Sequence, residues 1–403
     1  MDKTKKDRKR ITLSQIIPTN PEGVNVFILT LLLTGFGLVM VYSASSYAAS
    51  MSDSLGGNSY YYLTGQLRAA IVGMVLMAAI VIINSTFFTS KLSPWVWVVA
   101  ATIAMLSIVI MKIVNPDAAI EVNGATRWVR ISIGPVGMNV QPSEICKMLV
   151  IILYAKLLPA YKGLTKKMSG YAILMIPAIY IAGLIAAIAN NFSGAIIVVG
   201  TAFMMIMIVS YKPRLDGSGI AWLGIYIGII VAGAVLVVMK RWNRVVTWYL
   251  LWSDPSKVDA GDEAFQPVQS LYAIGSGGIF GKGIGGSIQK LKFLPESQND
   301  MIFSIICEET GIFGGIMVIA AFVALLGVLY MVARRVNNLH SSLLVFGVFF
   351  HIALQTVINI CVATCVFPNT GVTLPFISQG GSALIMALAE IGLVLNVAKQ
   401  IED

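Results

Sequence analysis

The sequence predicts an all-α polytopic membrane protein of about ten transmembrane helices, with a large extracytoplasmic loop between the seventh and the eighth. Three observations predict it. The 403 residues are 57% hydrophobic and only 12% charged, with a mean hydropathy of +0.83, far from the balance of a soluble domain. The apolar residues gather into runs near 25–46, 67–84, 94–114, 144–160, 171–189, 194–211, 219–239, 309–332, 341–365 and 382–398, each close to the roughly 20 residues that cross hydrocarbon. The basic residues collect in short segments between those runs, as the positive-inside rule requires.

In chain order, "MDKTKKDRKR" has the charge of a signal-peptide start, but the apolar run that follows is long enough to span. Residues 1–24 therefore read as an uncleaved cytoplasmic tail, and 25–398 as one ten-helix membrane domain. The fourth run is interrupted by Lys147 and Lys156, which marks a tilted or broken helix. With the tail inside, the cytoplasmic connections carry Lys91, then Lys156, Lys162, Lys166 and Lys167, then Lys212 and Arg214, then Arg334 and Arg335, whereas 47–66 has no Lys or Arg. Ten crossings return 399–403 to the cytoplasm. The net charge of +9 thus reports orientation and not a nucleic-acid ligand.

Two outer segments, 115–143 and 240–300, are too long to be mere connectors. The second holds seven basic residues (Lys240, Arg241, Arg244, Lys257, Lys282, Lys290, Lys292) against six acidic ones (Asp254, Asp259, Asp262, Glu263, Glu296, Asp300), a near-neutral loop that translocates regardless of its charges. Chemistry concentrates on loops held by a rigid scaffold, which directs attention to these two segments and to 366–381. Cys146, Cys307, Cys361 and Cys365 all lie in apolar stretches without CxxC spacing, and only two histidines, His340 and His351, exist. Neither set builds a zinc or disulfide framework.

"GKGIGG" at 281–286 fits GxGxxG, but no strand–turn–helix unit surrounds it, so its glycines read as permission for a tight loop or a close backbone approach. "NGATRWVRISIGPVGMNVQPSEICK", 123–147, puts Arg127 and Arg130 on the outer side, followed by Glu144 and Lys147 at the start of a span. Two readings stand: headgroup anchoring with an i,i+3 Glu144–Lys147 pair, or neutralisation of an anionic lipid headgroup, such as a pyrophosphate, by Arg127 and Lys147. "NTGVTLPFISQGGSAL", 369–384, reads as an irregular segment, tolerated at membrane depth only where protein or a cavity surrounds it, or as a turn capping the last helix. Glu390, Glu308 and Glu309 stand either as proton-relay groups or as helix-terminal carboxylates paired with outer-loop bases. Asp300, where "FLPESQND" meets the apolar run from Met301, is either a helix N-cap or a partly desolvated carboxylate able to take a proton near neutral pH.

Taken together, "NGATRWV" with "QPSEICK", "FLPESQNDMIFSIICEETG" and "GVTLPFISQGGSAL", in this order and on these loops, resemble the signature segments of the SEDS family of bacterial cell-wall proteins, the FtsW, RodA and SpoVE type. "PESQND" and "ICEE" are nearer to the FtsW/SpoVE branch. The resemblance implies a peptidoglycan glycosyltransferase of the bacterial cytoplasmic membrane that polymerises lipid II at its outer face, in cell division or sporulation, beside a class B penicillin-binding protein and other divisome or sporulation proteins. It implies Asp300 as general base, activating the 4-hydroxyl of the acceptor GlcNAc against the anomeric carbon of the donor MurNAc. Undecaprenyl pyrophosphate leaves with inversion. Under it Arg127 and Lys147 stabilise the charge on the departing pyrophosphate, and Glu144, Glu308, Glu309 and Ser378 stand as further headgroup candidates, with Glu308 and Glu309 equally able to shape the site. It also leaves room for a divalent cation, Mg2+ or Mn2+, whose ligands stay unassigned.

Two departures from the family pattern are visible: "ANNFSG" at 189–194 lacks a carboxylate, and Gln379 stands where a tyrosine commonly precedes the paired glycines. Two other classes of function remain in competition. A lipid II flippase would also use many helices and intramembrane carboxylates, and a non-catalytic scaffold would only hold the penicillin-binding protein. An internal repeat would favour transport, and the two halves of the chain show no convincing one.

Overall fold

The computed structural model describes Pro18 and residues 20–83, 92–122, 125–133, 136–166, 168–209, 242–253 and 262–401. These form helices α1 Pro21–Ser50, α2 Tyr61–Ile82, α3 Trp95–Val114, α4 Pro142–Ala160, α5 Met168–Ala189, α6 Phe192–Val209, α7 Trp242–Ser253, α8 Asp262–Gly277, α9 Ile302–Arg335, α10 Leu339–Ala363 and α11 Gly381–Ala398. Among the described residues eight helices are long and apolar enough to cross a membrane: α1, α2, α3, α5, α6, α9, α10 and α11. The seventh expected span, 219–239, lies outside the described residues.

The fourth expected span is α4, which is not among these eight because it carries Glu144, Lys147 and Lys156. Its position explains how it tolerates them. From Val150 to Leu158 every side chain is buried, with α3, α6 and α10 packed around it, so its charges meet protein and not lipid. α11 is the other interior helix and lies along α2. A Cβ on Gly73 would come within 2.6 Å of Leu388 Cδ1, and one on Gly392 within 2.9 Å of the Met77 carbonyl oxygen, so small residues on both helices let them meet closely.

Not everything is helical. β1 Ala119–Val122, β2 Ala125–Ile133 and β3 Val136–Val140 form an antiparallel sheet in the order β1-β2-β3, an element that an all-α reading leaves out. β2 pairs Arg130 with Asn139 and Val129 with Val140. It buries Ala125 and Val129 against the ends of α3, α4 and α5.

Both described chain ends lie at one end of the bundle. Asn20 caps α1, its Oδ1 accepting from Gly23 N at 3.1 Å, while its Nδ2 donates to Ala398 O at 2.7 Å, and Arg335 pairs with Glu22 at 2.5 Å. α9 runs from Arg335 through 34 residues to Ile302, roughly 50 Å at 1.5 Å per residue. Asp300 therefore sits at the opposite end from the termini. Near that end α9 breaks at Gly311, whose φ of 72° and ψ of −175° leave the helical region.

Candidate active site

The turn 293–301 delivers Asp300 to the start of α9. It is anchored on both sides: Ser297 Oγ donates to Ala44 O of α1 at 3.2 Å, and Gln379 N donates to Gln298 O at 2.9 Å. Asn359 of α10 ties Asp300 from within the core, its Nδ2 donating to the Asp300 carbonyl at 2.8 Å and to the Val372 carbonyl at 2.7 Å. Met301 occupies the N-cap position of α9 with no side-chain cap, so the Asp300 carboxylate is not spent as a conventional cap. It is 8% exposed, forms no ion pair among the described residues, and has one long side-chain contact, from Gln266 Nε2 at 3.5 Å. Burial pushes its carboxyl up to about 7, with Glu296 adding in the same direction, while the Asp300 and Met301 amides and the Arg244 guanidinium pull it back. A carboxyl poised there exchanges a proton near neutral pH.

Glu308 and Glu309 sit deeper, at 0% and 1% exposed, and are occupied. Glu308 accepts from Lys282 Nζ at 2.7 Å, Ser276 Oγ at 3.3 Å, Ser287 Oγ, and the amides of Ile288 and Gln289 at 3.0 and 3.3 Å. Glu309 accepts from Ser43 Oγ at 2.7 Å and Lys290 Nζ at 2.9 Å. The two carboxylates thus clasp the loop carrying "GKGIGG" to α9. The glycines serve that docking: the amides of Lys282 and Gly283 donate to the carbonyls of Glu308 and Glu309, and a Cβ on Gly281 would stand 2.2 Å from Glu309 O.

The basic candidates gather on a neighbouring wall. Lys147 Nζ meets both oxygens of Glu144, at 2.7 and 2.9 Å, and both side chains are buried. Arg127 donates from Nε to Ala189 O at 3.3 Å and from Nη2 to Asn190 O at 3.2 Å, and burial together with the like charge of Arg244 lowers its pKa. The "ANNFSG" departure is therefore built into this wall. Asn191 Oδ1 accepts from Gly194 N at 2.9 Å and its Nδ2 donates to Ser143 Oγ at 3.2 Å. Glu144 shares a small cavity with Ser378, Thr373 and His351. Ser378 is buried, its Oγ accepting from Leu374 N at 2.7 Å and its carbonyl accepting from Gln66 Nε2 at 3.0 Å. Behind it His351 Nδ1 and Glu390 Oε2 lie 2.7 Å apart, both buried.

Segment 364–380 joins the two walls. It is irregular, and its part 372–378, with Val372, Leu374, Phe376, Ile377 and Ser378 buried, is enclosed by protein and is more than a cap on α11. Among the described residues Asp300 makes no direct contact with Arg127 or Lys147. The connection runs through residues that sequence reasoning passed over. Asn369 Nδ2 donates to Gln266 Oε1 at 2.5 Å, and Arg244 Nη1 reaches Asn369 O at 3.5 Å. Arg244, Trp248, Gln266, Cys365, Phe367 and Asn369 line a cleft of about 190 Å³ beside Asp300. Arg244 acts electrostatically on both Asp300 and Arg127. Its only sequence signal is a base set among the aromatics of "WNRVVTWYLLW".

For a cation the donor set is already committed. Glu144, Glu308 and Glu309 face lysines, and among the described residues no three His, Cys, Asp or Glu side chains converge.

The arrangement has relatives. A family model described as cell cycle protein, covering FtsW, RodA and SpoVE, matches residues 24–403. Stage V sporulation protein E of Bacillus subtilis strain 168 is 34% identical over 391 residues, covering 94% of this chain and 98% of that protein. The probable peptidoglycan glycosyltransferase FtsW of the same strain is 34% identical over 376 residues, covering 91% and 88%. Among solved structures, a peptidoglycan synthase complex matches with a TM-score of 0.64 at 22% identity, covering 93% of this chain and 96% of that one. The rod shape determining protein RodA of Thermus thermophilus matches with a TM-score of 0.61 at 23% identity, covering 94% and 97%. The chain belongs to the FtsW, RodA and SpoVE family of cell cycle proteins.

Proposed function

We propose that this membrane protein is an inverting peptidoglycan glycosyltransferase that polymerises lipid II, with Asp300 as general base. The observation that carries the reading is the state of Asp300: buried, without an ion pair among the described residues and raised to about 7, and within reach of Gln266, which lines the neighbouring cleft. The acceptor's 4-hydroxyl approaches Asp300 from the cleft, and the carboxylate removes its proton as the oxygen attacks the donor's anomeric carbon. The C–O bond to the pyrophosphate breaks and the anomeric configuration inverts. Asn359 and Gln266 position Asp300, and Arg244 holds its charged form within reach.

Arg127 and Lys147 meet the charge that builds on the departing undecaprenyl pyrophosphate. Glu144 keeps Lys147 pre-oriented, and Ser378 shapes the same wall. Glu308 and Glu309 hold the loop in place and do not touch substrate. Mg2+ or Mn2+ would enter with the pyrophosphate, since Glu144, Glu308 and Glu309 are taken by lysines. The orientation follows the positive-inside pattern, with both termini cytoplasmic and Asp300 at the outer face. A class B penicillin-binding protein is the partner that cross-links the product, in division or sporulation.

The test is reconstitution of the purified protein with that partner and labelled lipid II. Wild type converts lipid II to glycan chains, whereas Asp300→Asn loses activity by roughly 10²–10⁴-fold with unchanged folding and partner binding. An Asp300→Asn protein that polymerises at wild-type rate overturns the assignment. Wild type that moves lipid II across vesicles without making polymer is a flippase, and wild type that does neither is a scaffold.

A further inference from the structure

The segment 277–291, between α8 and the turn that carries Asp300, has its polarity reversed. Ile279, Phe280, Ile284 and Ile288 are 67%, 81%, 64% and 50% exposed. Its polar side chains are drawn inward: Ser287 and Lys290 are buried and bond to Glu308 and Glu309, and Lys282, whose side chain keeps 27% exposure, also bonds to Glu308. A loop in water shows its lysines and hides its isoleucines, and a contiguous exposed apolar patch marks a different neighbour.

The backbone tells which neighbour. Where α9 breaks at Gly311, the orphaned groups are matched by the loop. Lys282 N and Gly283 N donate to the carbonyls of Glu308 and Glu309, and Ile312 N and Phe313 N donate to the carbonyls of Gly278 and Ile279. Irregular backbone survives at membrane depth only with such pairing. The same bonds set the loop's level. Ile279 lies beside Phe313, which with Ile312, Ile316 and Met317 forms an exposed apolar face of the span α9, each of them 54–59% exposed. The exposed Ile279 and Phe280 thus extend that face from the loop's side. Lys292 and Glu296, both exposed, mark where the chain returns to the polar boundary.

We propose that 277–291 is a re-entrant loop whose Ile279, Phe280, Ile284 and Ile288 insert into the acyl-chain layer of the bilayer, seating the Asp300 end of α9 at a fixed depth. The occupant is bulk lipid, because the patch extends an exposed apolar surface of the span α9 and the one partly exposed charge beside it, Lys282, is spent on Glu308. The buried clasps of Glu308 and Glu309 then have a physical purpose: they keep two lysines out of hydrocarbon.

The experiment places an environment-sensitive fluorophore at Phe280→Cys in the full-length protein, reconstituted alone in phosphatidylcholine vesicles. Ile284→Cys is the second site, and identically labelled wild type corrects for Cys361, the one native cysteine that is not buried. Both labels should lose most of their emission to nitroxides on the acyl chains and stay unchanged with aqueous iodide. Quenching by iodide and not by acyl-chain nitroxides places the loop in water and overturns the proposal. Protection from both quenchers means that protein covers the patch, and overturns it equally.

Discussion

Asp300 and the pair Glu308 and Glu309 lie within ten residues of one another and differ in everything that matters to a carboxylate. The glutamates are the more deeply buried, yet each meets a lysine within 2.9 Å, with Ser43 Oγ added on Glu309 and two hydroxyls and two amides added on Glu308, so their charge is compensated. Asp300 is less buried and less satisfied, with a 3.5 Å amide contact as its nearest side-chain donor. Depth alone does not make a proton acceptor. What counts is burial without compensation, because only then does desolvation favour the neutral form and leave a proton to exchange.

The sharpest way to break the comparison is to remove compensation. Lys290→Met leaves Glu309 charged and unpaired in the interior and should destabilise the protein by about 3–5 kcal/mol. The double variant Lys290→Met with Glu309→Leu should recover most of that loss in a detergent melt. If the single variant melts like wild type, Glu309 is not an ion-paired clasp. A smaller effect is expected for Lys282→Met, because Lys282 is 27% exposed and water can replace it.

A pH series tests the other side. With Asp300 raised to about 7, polymerisation should fall as pH drops through 7 and level off above it, since the base works only when ionised. Stability should move the opposite way. The folded-state pKa lies above the ordinary 3.8, so the contribution of the neutral carboxyl is complete at acid pH and is lost as pH rises through 7. Initial rates and melting temperatures on either side of pH 7 check both trends, and Asp300→Asn should flatten the second. The smallest effect belongs to Gln266→Ala. Losing one long hydrogen bond to a charged group should slow turnover by at most roughly tenfold and shift the rate–pH midpoint upward. An unchanged midpoint would mean that Gln266 serves Asn369 and Pro295 and does not position Asp300.

Much of the architecture was legible because a membrane span is written in contiguous residues. The runs at 25–46, 67–84, 94–114, 171–189 and 382–398 overlie α2, α3, α5, α11 and the central part of α1. The sheet was not, since β2 is nine residues and its partners four and five, too short an alternation to stand out among apolar runs. The candidate site was legible at its ends only. Asp300, Arg127, Lys147 and Glu144 announce themselves as ionisable groups at apolar boundaries, whereas Gln266 and Asn369 meet across 103 positions and neither carries a charge to draw notice. Glu308 and Glu309 could not be told apart from reactive groups because their lysines stand 26 and 19 residues away.

By itself, then, the sequence determined where the chain is apolar enough to cross a bilayer, which connections are basic, and that a carboxylate stands at the mouth of a span. These are local properties, set by composition over some 20 residues. The tertiary structure alone decided which carboxylates keep a compensated charge and which one is left to take up a proton. Ionisation is governed by desolvation and by the nearest partners in space, and in this chain those partners arrive from α1, α7, α8, α10 and the loop docked on the break in α9.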